Sequence, residues 1–462
     1  MYSQNYYRRR QTKNNKAGIY KNIFTAFLLL VLIFFLIFSV DYLIHRGKNY
    51  SNVFALEHNI GKLNKTQTEN ALSPIVEELL HRSIQIKHDD YAITIVPRED
   101  LGASIDLDKL IDKAYAICRQ GSVWQRIADR ISLIRRAKIV TPYFDFNNSD
   151  YDDLINILKT EIEQPTRDAE LKVDRIIPSQ IGIEIQKQEL YEEINRNLLH
   201  AANADTTDVI VEVPVKREYP EISTDKLLAQ LGINQEISSF KTSLQGKESN
   251  TLFNIKKASD DINGIILKPG DNFLFNQLVG PAEKEDGYKE STIIVNGQYT
   301  NGYGGGVCQV STTLYNAVLL ANLQIIERYN HSIYGEATNY VPLGRDAAIF
   351  YGFKDLRFKN SLDQTIVIFS ETKEDNLITT VYGEKVLDKE ITIITRDEEI
   401  HDFDIIEIKR QNMEYIKDRV LQEGIPGYTV KTYRVIADSR GESMEFISND
   451  KYLSVPMKVI VD

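Results

Sequence analysis

Cys308 follows the glycines of the run GYGGGVCQVST, residues 302–312, and stands at the start of a helix-like stretch that reaches about Asn322. Val310, Leu314, Ala317, Val318 and Ala321 fall on one face of that stretch, so packing anchors the helix and leaves the cysteine at its N-terminus. Unpaired first-turn N–H groups and the positive end of the helix dipole stabilise a thiolate there. A thiolate beside backbone donors is equipped for acyl transfer: the sulfur attacks a carbonyl, and N–H groups of the loop and of Cys308 hold the oxyanion. The reaction also needs a base. His331, in IERYNHS, is the one histidine between residues 201 and 400, and a return strand ending there brings it beside Cys308. Asp346, in LGRDA, is the first candidate to orient the imidazole, with Asp355 and Glu336 as alternatives. Arg345 is a candidate to bind a substrate carboxylate through two parallel hydrogen bonds. Gly304, Gly305 and Gly306 let the backbone approach a substrate, and with Gln309 and Ser311 they are the candidate substrate contacts. Ser311, Thr312 and Thr313 equally suit capping of the first helical turn.

Other uses of a glycine loop fit less well. A phosphate-binding P-loop needs a lysine ahead of its Ser or Thr, and Gln309, Val310 and Ser311 supply none. A dinucleotide fingerprint counted from Gly302 or Gly304 puts its third glycine on Val307 or Gln309. One cysteine and one histidine are too few for zinc, so neither a metal nor a cofactor is implied. The bland alternative is a buried cysteine in a loop that binds without catalysing.

The elements that must position these residues begin with an N-terminal apolar run. Ile23 to Val40 carries no charge and follows a flank holding Arg8, Arg9, Arg10, Lys13, Lys16 and Lys21 with no acid. Such a run is just long enough to span a bilayer, and the basic flank favours the cytoplasmic side. The following DYLIHRGKN offers no clear cleavage site, so a single-pass anchor with the bulk of the chain outside is the expectation, and a cleaved signal peptide the alternative. The chain nets −11 and its first 40 residues carry six basic and no acidic residues, so the remainder nets −17. A nucleic-acid partner is excluded on that balance. Outside the cell the two cysteines, Cys118 and Cys308, have the option of a disulfide. They fall in what look like different domains, so Cys118 is expected as a buried small hydrophobe in a helix and Cys308 as a free thiol.

Residues 1–22 read as a basic cytoplasmic tail, 23–44 as the membrane anchor and 45–75, polar and weakly patterned, as a stalk. From 76 to 235 helical and strand patterns mix. SPIVEELLHRS starts a helix capped by Ser73, DYAITIV alternates as a strand, and DLDKLIDKAYAICRQG is a capped helix stopped by Gly121. His81, His88 and His200 there have no partner at ligand spacing. From 236 to 372 the patterns give a helix, the Gly264 and Pro269-Gly270 turns, a hairpin about Asn296-Gly297, the Cys308 helix, and strands at LQIIERYNHSI, AAIFYGF and QTIVIFSE. From 373 to 462 strands dominate, beginning with NLITTVYGEK, as in a small β module.

Residues from about 238 to 372 resemble the VanW domain family. The likeness is carried by NIKKASDDINGIILKPGDNFLFNQLVGP, by GYKESTIIVNGQYTNGYGGGVCQVSTTLYNAVLLANLQIIERYNHS and by YVPLGRDAAIFYGFKDLRFKNSLDQTIVI. Residues 85–235 resemble the peptidoglycan-binding module that commonly precedes such domains, with glycine more usual where Cys118 stands. The tail, with EGIPGYTVKTYRVI and ISNDKYLSVPMKVIVD, is similar to a degenerate G-five module. The expected fold is α+β and multidomain: one transmembrane helix, an α/β peptidoglycan-binding-like module, an α+β VanW domain and a small all-β C-terminal module. Some family members are implicated as L,D-transpeptidases with a catalytic cysteine. The resemblance implies that role for Cys308, with His331, Arg345 and Asp346 as site candidates and peptidoglycan stem peptides and glycan as partners. A non-catalytic wall-binding scaffold and a papain-like or NlpC-type peptidoglycan hydrolase remain the alternatives.

Overall fold

The computed structural model describes residues 2–89, 91–201, 209–295, 298–335, 338–409 and 420–461. They form two units, Met1–Gln164 with Ile183–Arg217 and Pro165–Gly182 with Glu218–Asp462.

The first unit opens with helix α1, Tyr2–Ile44, of which Tyr20–Ile44 is long and apolar enough to cross a membrane and packs against almost nothing. Residues 45–75 are not an extended stalk. Tyr50, Val53, Ala55 and Ile60 are buried in one cluster with Leu72, Leu110, Cys118 and Leu133. Strand β1, Val53–Ala55, lies in that segment, and helix α2, Lys65–Leu80, begins inside it at an Asn64–Gln67 capping box. The helix therefore starts well before Ser73, whose hydroxyl instead donates to the Glu69 carbonyl within it. The apolar residues of this stretch are few but most are buried, which is why composition alone made it look like a linker. Strands β2, Ile84–His88, and β3, Tyr91–Ile95, form a hairpin. Helix α3, Leu107–Ala116, is capped by Asp106 and ends short of Cys118, so it does not run on to Gly121. Cys118 is buried as expected, but at φ +61, a left-handed conformation that glycine adopts without strain. Cysteine at this position gives up backbone ease for a buried side chain, and burial pushes its thiol up to about 11. Helix α4, Val123–Arg135, follows from a Ser122–Gln125 capping box, and β4, Lys138–Val140, pairs parallel with β1. Helices α5, Asn148–Ile162, and α6, Lys187–Ala201, complete the core with β5, Val209–Glu212, which pairs parallel with β2.

The second unit is built on an antiparallel sheet. Its elements in chain order are β6, Gln235–Ser243; α7, Ser249–Ile262; β7, Ile265–Leu267; the hairpin β8, Glu290–Val295, and β9, Gln298–Tyr303; α8, Val307–Leu320; β10, Ile366–Lys373; and β11, Asn376–Gly383. The expected Asn296-Gly297 turn lies outside the described residues. The sheet order is β6-β11-β10-β7, with α7 against β10 and α8 against β6 and β11. Here β11, placed by sequence in the terminal module, is an interior strand, so the 372/373 boundary falls inside this sheet. Residues 165–182 also belong to this unit rather than to a 76–235 module, since Ile176 N–H donates to Gly264 O and Ile266 N–H to Asp174 O. The stretch AAIFYGF is a turn, not a strand: the Phe350 and Lys354 backbones bond each other across it.

Beyond Gly383 the described residues form strands and no helix. β12, Glu390–His401, β13, Gly427–Asp438, and β14, Gly441–Tyr452, form a meander in the order β12-β13-β14. They are fastened to the helix that carries Cys308. Arg434 of β13 is buried, donates to the Leu323 carbonyl at 2.9 Å and the Leu319 carbonyl at 3.4 Å, and pairs with Glu445. It satisfies carbonyls at the C-terminus of α8, where cations are favoured. Arg434→Ala should lower stability by about 3 kcal/mol by taking the charged donor from the Leu323 carbonyl and breaking the pair with Glu445. Chemical denaturation checks this, with a shift of the midpoint at unchanged slope expected.

Candidate functional site

Helix α8 is enclosed on nearly every side, and its polar residues are spent on holding neighbouring backbone. Ser311 Oγ donates to Ala347 O at 2.6 Å, and Thr312 Oγ1 accepts from Ala347 N–H at 2.9 Å. Asn316 Nδ2 donates to Arg345 O at 2.8 Å. These bonds lay residues 345–349 along the first two turns of the helix. Ile349 is thereby delivered to Cys308: its N–H donates to Cys308 Sγ at 3.4 Å, and its carbonyl lies 3.7 Å from the thiol.

His331 approaches from the other side. It sits in a loop beyond the strand Gln324–Glu327 rather than at the strand's end. Its imidazole stands beside Cys308, close enough to interact with the thiol. Its Nδ1 donates to Asp346 Oδ2 at 2.5 Å, and its backbone N–H donates to the same oxygen at 2.7 Å. That leaves Nε2 for the sulfur. Asp346 is fully buried, and its Oδ1 accepts from Tyr452 O–H at 2.6 Å and from Arg328 Nη2 at 3.0 Å. Arg328 in turn donates to Asp450 Oδ1 at 2.6 Å. The fold therefore brings Cys308, His331 and Asp346 together, with His331 hydrogen-bonded to Asp346 and its ring beside the thiol.

Burial on its own raises a thiol, yet the Cys308 thiol is held below its ordinary range, because the His331 hydrogen bond and charge and the Ile349 N–H outweigh burial. Burial depresses His331, but Asp346 and Cys308 raise it to about 9. Asp346 is raised by burial and brought well below the usual carboxylate range by His331, Arg328 and Tyr452. All three shifts favour a thiolate beside an imidazolium.

The site opens into a cavity of about 980 Å³ lined by Gly304, Gly305, Gly306, Cys308, Gln309 and His331, and further by Tyr340 and Lys354. The glycines are set by protein packing as much as by access. A Cβ on Gly305 would lie 2.4 Å from both Ser291 Oγ and Thr292 O, and one on Gly306 2.7 Å from Ile255. Val307 and Gln309 N–H groups already donate to Gly304 and Gly306 carbonyls, which removes two loop donors from an oxyanion site and leaves Cys308 N–H as the candidate. Gln309 Nε2 is bound to Thr242 Oγ1 and Ser243 O, while its buried Oε1 has no partner.

Two expected contacts lie elsewhere. Arg345 does not line the cavity: its Nε donates to Asn316 Oδ1 at 2.7 Å and its guanidinium covers the Phe240 ring. Ser311 is buried against Ala347, also away from the cavity. Asp355 accepts from Asn276 and Leu356 N–H groups, and Glu336 lies outside the described residues. Sequence reasoning missed Tyr340, Lys354 and the supports Arg328, Tyr452 and Asp450. The Tyr340 hydroxyl is pushed far up by burial and by the Cys308 charge. Its signal was an aromatic residue shortly before LGRDA. Tyr452 and Asp450 had none, since they lie more than a hundred residues away.

Residues 250–382 match the family model described as "VanW like protein", and residues 95–206 match one described as "Putative peptidoglycan binding domain". "Uncharacterized protein YoaR" of Bacillus subtilis (strain 168) is 33% identical over 221 residues, 48% of this chain and 70% of that protein. The chain belongs to the VanW-like family. "Vancomycin B-type resistance protein VanW" of Enterococcus faecalis (strain ATCC 700802 / V583) is 35% identical over 140 residues, 30% of this chain and 51% of that protein. Among solved structures, the IgA1 protease G5 domain aligns with 16% of this chain and 90% of its own at 24% identity, with a TM-score of 0.13. The two family matches together mark a cell-wall-associated protein. Cys308, His331 and Asp346 all fall inside the VanW-like region, whereas Tyr452 and Asp450 fall beyond it.

The ion pair makes a pH prediction. A group with a lowered pKa ionises earlier as pH rises, so Cys308 should react with iodoacetamide at pH 7, where an ordinary thiol is only about 3% ionised. Cys118, buried and raised, should stay unlabelled. His331→Ala should slow labelling about tenfold or more at pH 7 and move its inflection upward. Tyr452→Phe should move it the same way by less. Mass spectrometry of the labelled peptides reads all three, and an unchanged rate in His331→Ala would dismiss the pair.

Proposed function

We propose that this protein is a membrane-anchored, cysteine-dependent L,D-transpeptidase of peptidoglycan, held by α1 with its N-terminus in the cytoplasm and its bulk outside. The observation that carries the reading is the placement of Cys308 beside His331, itself hydrogen-bonded to the buried Asp346, at the wall of a cavity large enough for a peptide. The Cys308 thiolate attacks the carbonyl carbon between an L-centre and the terminal D-Ala of a donor stem. The Cys308 N–H receives the oxyanion, and the His331 imidazolium protonates the departing D-Ala amine as the C–N bond breaks. A thioester remains. An acceptor side-chain amine of a neighbouring stem then attacks that carbonyl and gives its proton to His331. The C–S bond breaks, the thiolate returns, and a three-to-three cross-link has formed. Asp346 keeps the imidazole in the right tautomer throughout.

Cavity charges support an amine acceptor over water. Glu248, Glu283 and Glu285 line it beside Lys247, Lys284 and Lys354, so the wall offers carboxylates to a cationic amine and ammonium groups to a substrate carboxylate, with Lys354 in the role first assigned to Arg345. No cofactor enters this chemistry. Incubation of the full chain with disaccharide tetrapeptide, followed by mass spectrometry, should give tetrapeptide–tripeptide dimers with loss of D-Ala. A carbapenem should add covalently to Cys308, and Cys308→Ala should abolish both. Absence of adduct and product with retained wall binding would instead favour a scaffold. Shortened stems without dimers would favour a hydrolase. Lys354→Met should raise KM for the donor several-fold while kcat changes little, as expected for loss of ground-state binding.

A further inference from the structure

Helix α4 is the least covered of the first unit's helices outside α1. Its Ile127, Arg130 and Leu133 face the protein. Trp124, Ala128, Ile131 and Arg135, spaced i, i+4, i+7 and i+11, form a second stripe on its open side. Trp124 is 73% exposed, Ile131 43%, and the adjoining Ile134 78%. This Trp is the only one in the chain. Leaving such side chains in water runs against the usual burial of large apolar groups, and their contiguity marks a surface that something covers.

The charge around the stripe is unusual for this protein. Residues 119–138 hold Arg119, Arg126, Arg130, Arg135, Arg136 and Lys138 against the single acid Asp129, in a chain that nets −17 beyond residue 40. An apolar stripe flanked by arginines fits an anionic lipid surface.

Its location points to the same occupant. Arg130, buried on the inner side of α4, reaches the apolar helix α1 itself. Its Nη1 approaches the Phe38 carbonyl at 3.5 Å and Asp41 at 3.7 Å, and its guanidinium lies 4.0 Å from the Phe38 ring centroid. Its Nη2 donates to Tyr50 O–H at 2.5 Å. Phe38 is one of the last residues of the uncharged run, and Asp41 is the first charge after it. If α1 spans the bilayer, the contact places α4 at the level where hydrocarbon gives way to headgroups. Tryptophan is enriched at that level.

We infer that α4 is an interfacial helix, lying in the outer face of the membrane that α1 crosses, with Trp124, Ile131 and Ile134 among the lipid chains and Arg126, Arg135 and Arg136 on anionic headgroups. This rests on the anchor reading of α1. It gives the first unit a fixed attachment at two elements rather than a tether at one.

The lone tryptophan makes the test direct. The full chain is reconstituted into vesicles of phosphatidylglycerol and phosphatidylcholine and washed at alkaline pH. Retention after the wash reports α1 alone. Trp124 emission is then titrated with aqueous iodide and, separately, with lipid spin-labelled near the headgroup. The expected result is blue-shifted emission, loss of most of it to the labelled lipid and little loss to iodide, and an Arg135→Glu/Arg136→Glu variant should show weaker lipid quenching with retention unchanged. Retained protein whose Trp124 is quenched by iodide and not by lipid would overturn the inference while leaving the anchor intact. Shielding from both quenchers would assign the stripe to a second copy or another protein and also overturn it. Loss of the chain in the wash would remove the anchor and the inference together.

Discussion

The Asp346 carboxylate is the point on which the second unit turns. An ionised carboxylate has about four lone-pair sites, and here four donors fill them: Tyr452 O–H, Arg328 Nη2, His331 N–H and His331 Nδ1. A fully buried charge left with fewer partners would cost several kcal/mol, so each donor is held in place by the need of the others. The His331 ring is fixed in one tautomer and one orientation as a result. The depressed thiol at Cys308 then follows from the imidazole that the carboxylate holds charged.

Two of those supports come from far along the chain. Tyr452 closes β14, and Asp450, two residues earlier on the same strand, shares Arg328 with Asp346. Arg434 of the neighbouring strand holds carbonyls at the end of α8. The C-terminal strands are thus part of the site's framework. A cut at residue 373 would remove β11 from the interior of the sheet and two supports from the carboxylate series at once.

What the sequence made legible follows the range of the forces involved. Cys308, His331 and Asp346 were readable because residue type is restrictive: one free thiol beside a glycine run, one histidine in two hundred residues, an acid in a short polar loop. Helices with local caps, such as α5 after Asn147, were readable for the same reason. Arg345 misled because an arginine beside an acid looks like a ligand site. Only tertiary structure shows that Asn316 and Phe240 have already claimed it. The folded state of residues 45–75 was hidden because its few apolar side chains pack on partners up to eighty residues away. The AAIFYGF segment read as a strand from its apolar content, but it makes no ladder: Ala347 bonds side chains of α8, Ala348 the Tyr329 carbonyl and Phe350 the Lys354 backbone, which no periodicity records.

The cause of thiol activation also shifts from the helix end to the tertiary contacts. A helix N-terminus contributes about 0.3–1 kcal/mol to a nearby anion, whereas a hydrogen bond to a charged group contributes about 1.5–3 kcal/mol. Cys308 must overcome burial before its pKa falls at all, and the dipole alone is too small for that. Two of the first-turn N–H groups are in any case engaged by Gly304 and Gly306 carbonyls. His331 and the Ile349 N–H supply the difference. Both reach the sulfur only because Ser311, Thr312 and Asn316 bind the 345–347 backbone to α8 while Asp346, from that same segment, takes hold of His331. One short run of chain therefore sets the positions of both groups that lower the thiol. The polar face of α8 is buried to hold that run, and its hydroxyls serve geometry rather than bond-making.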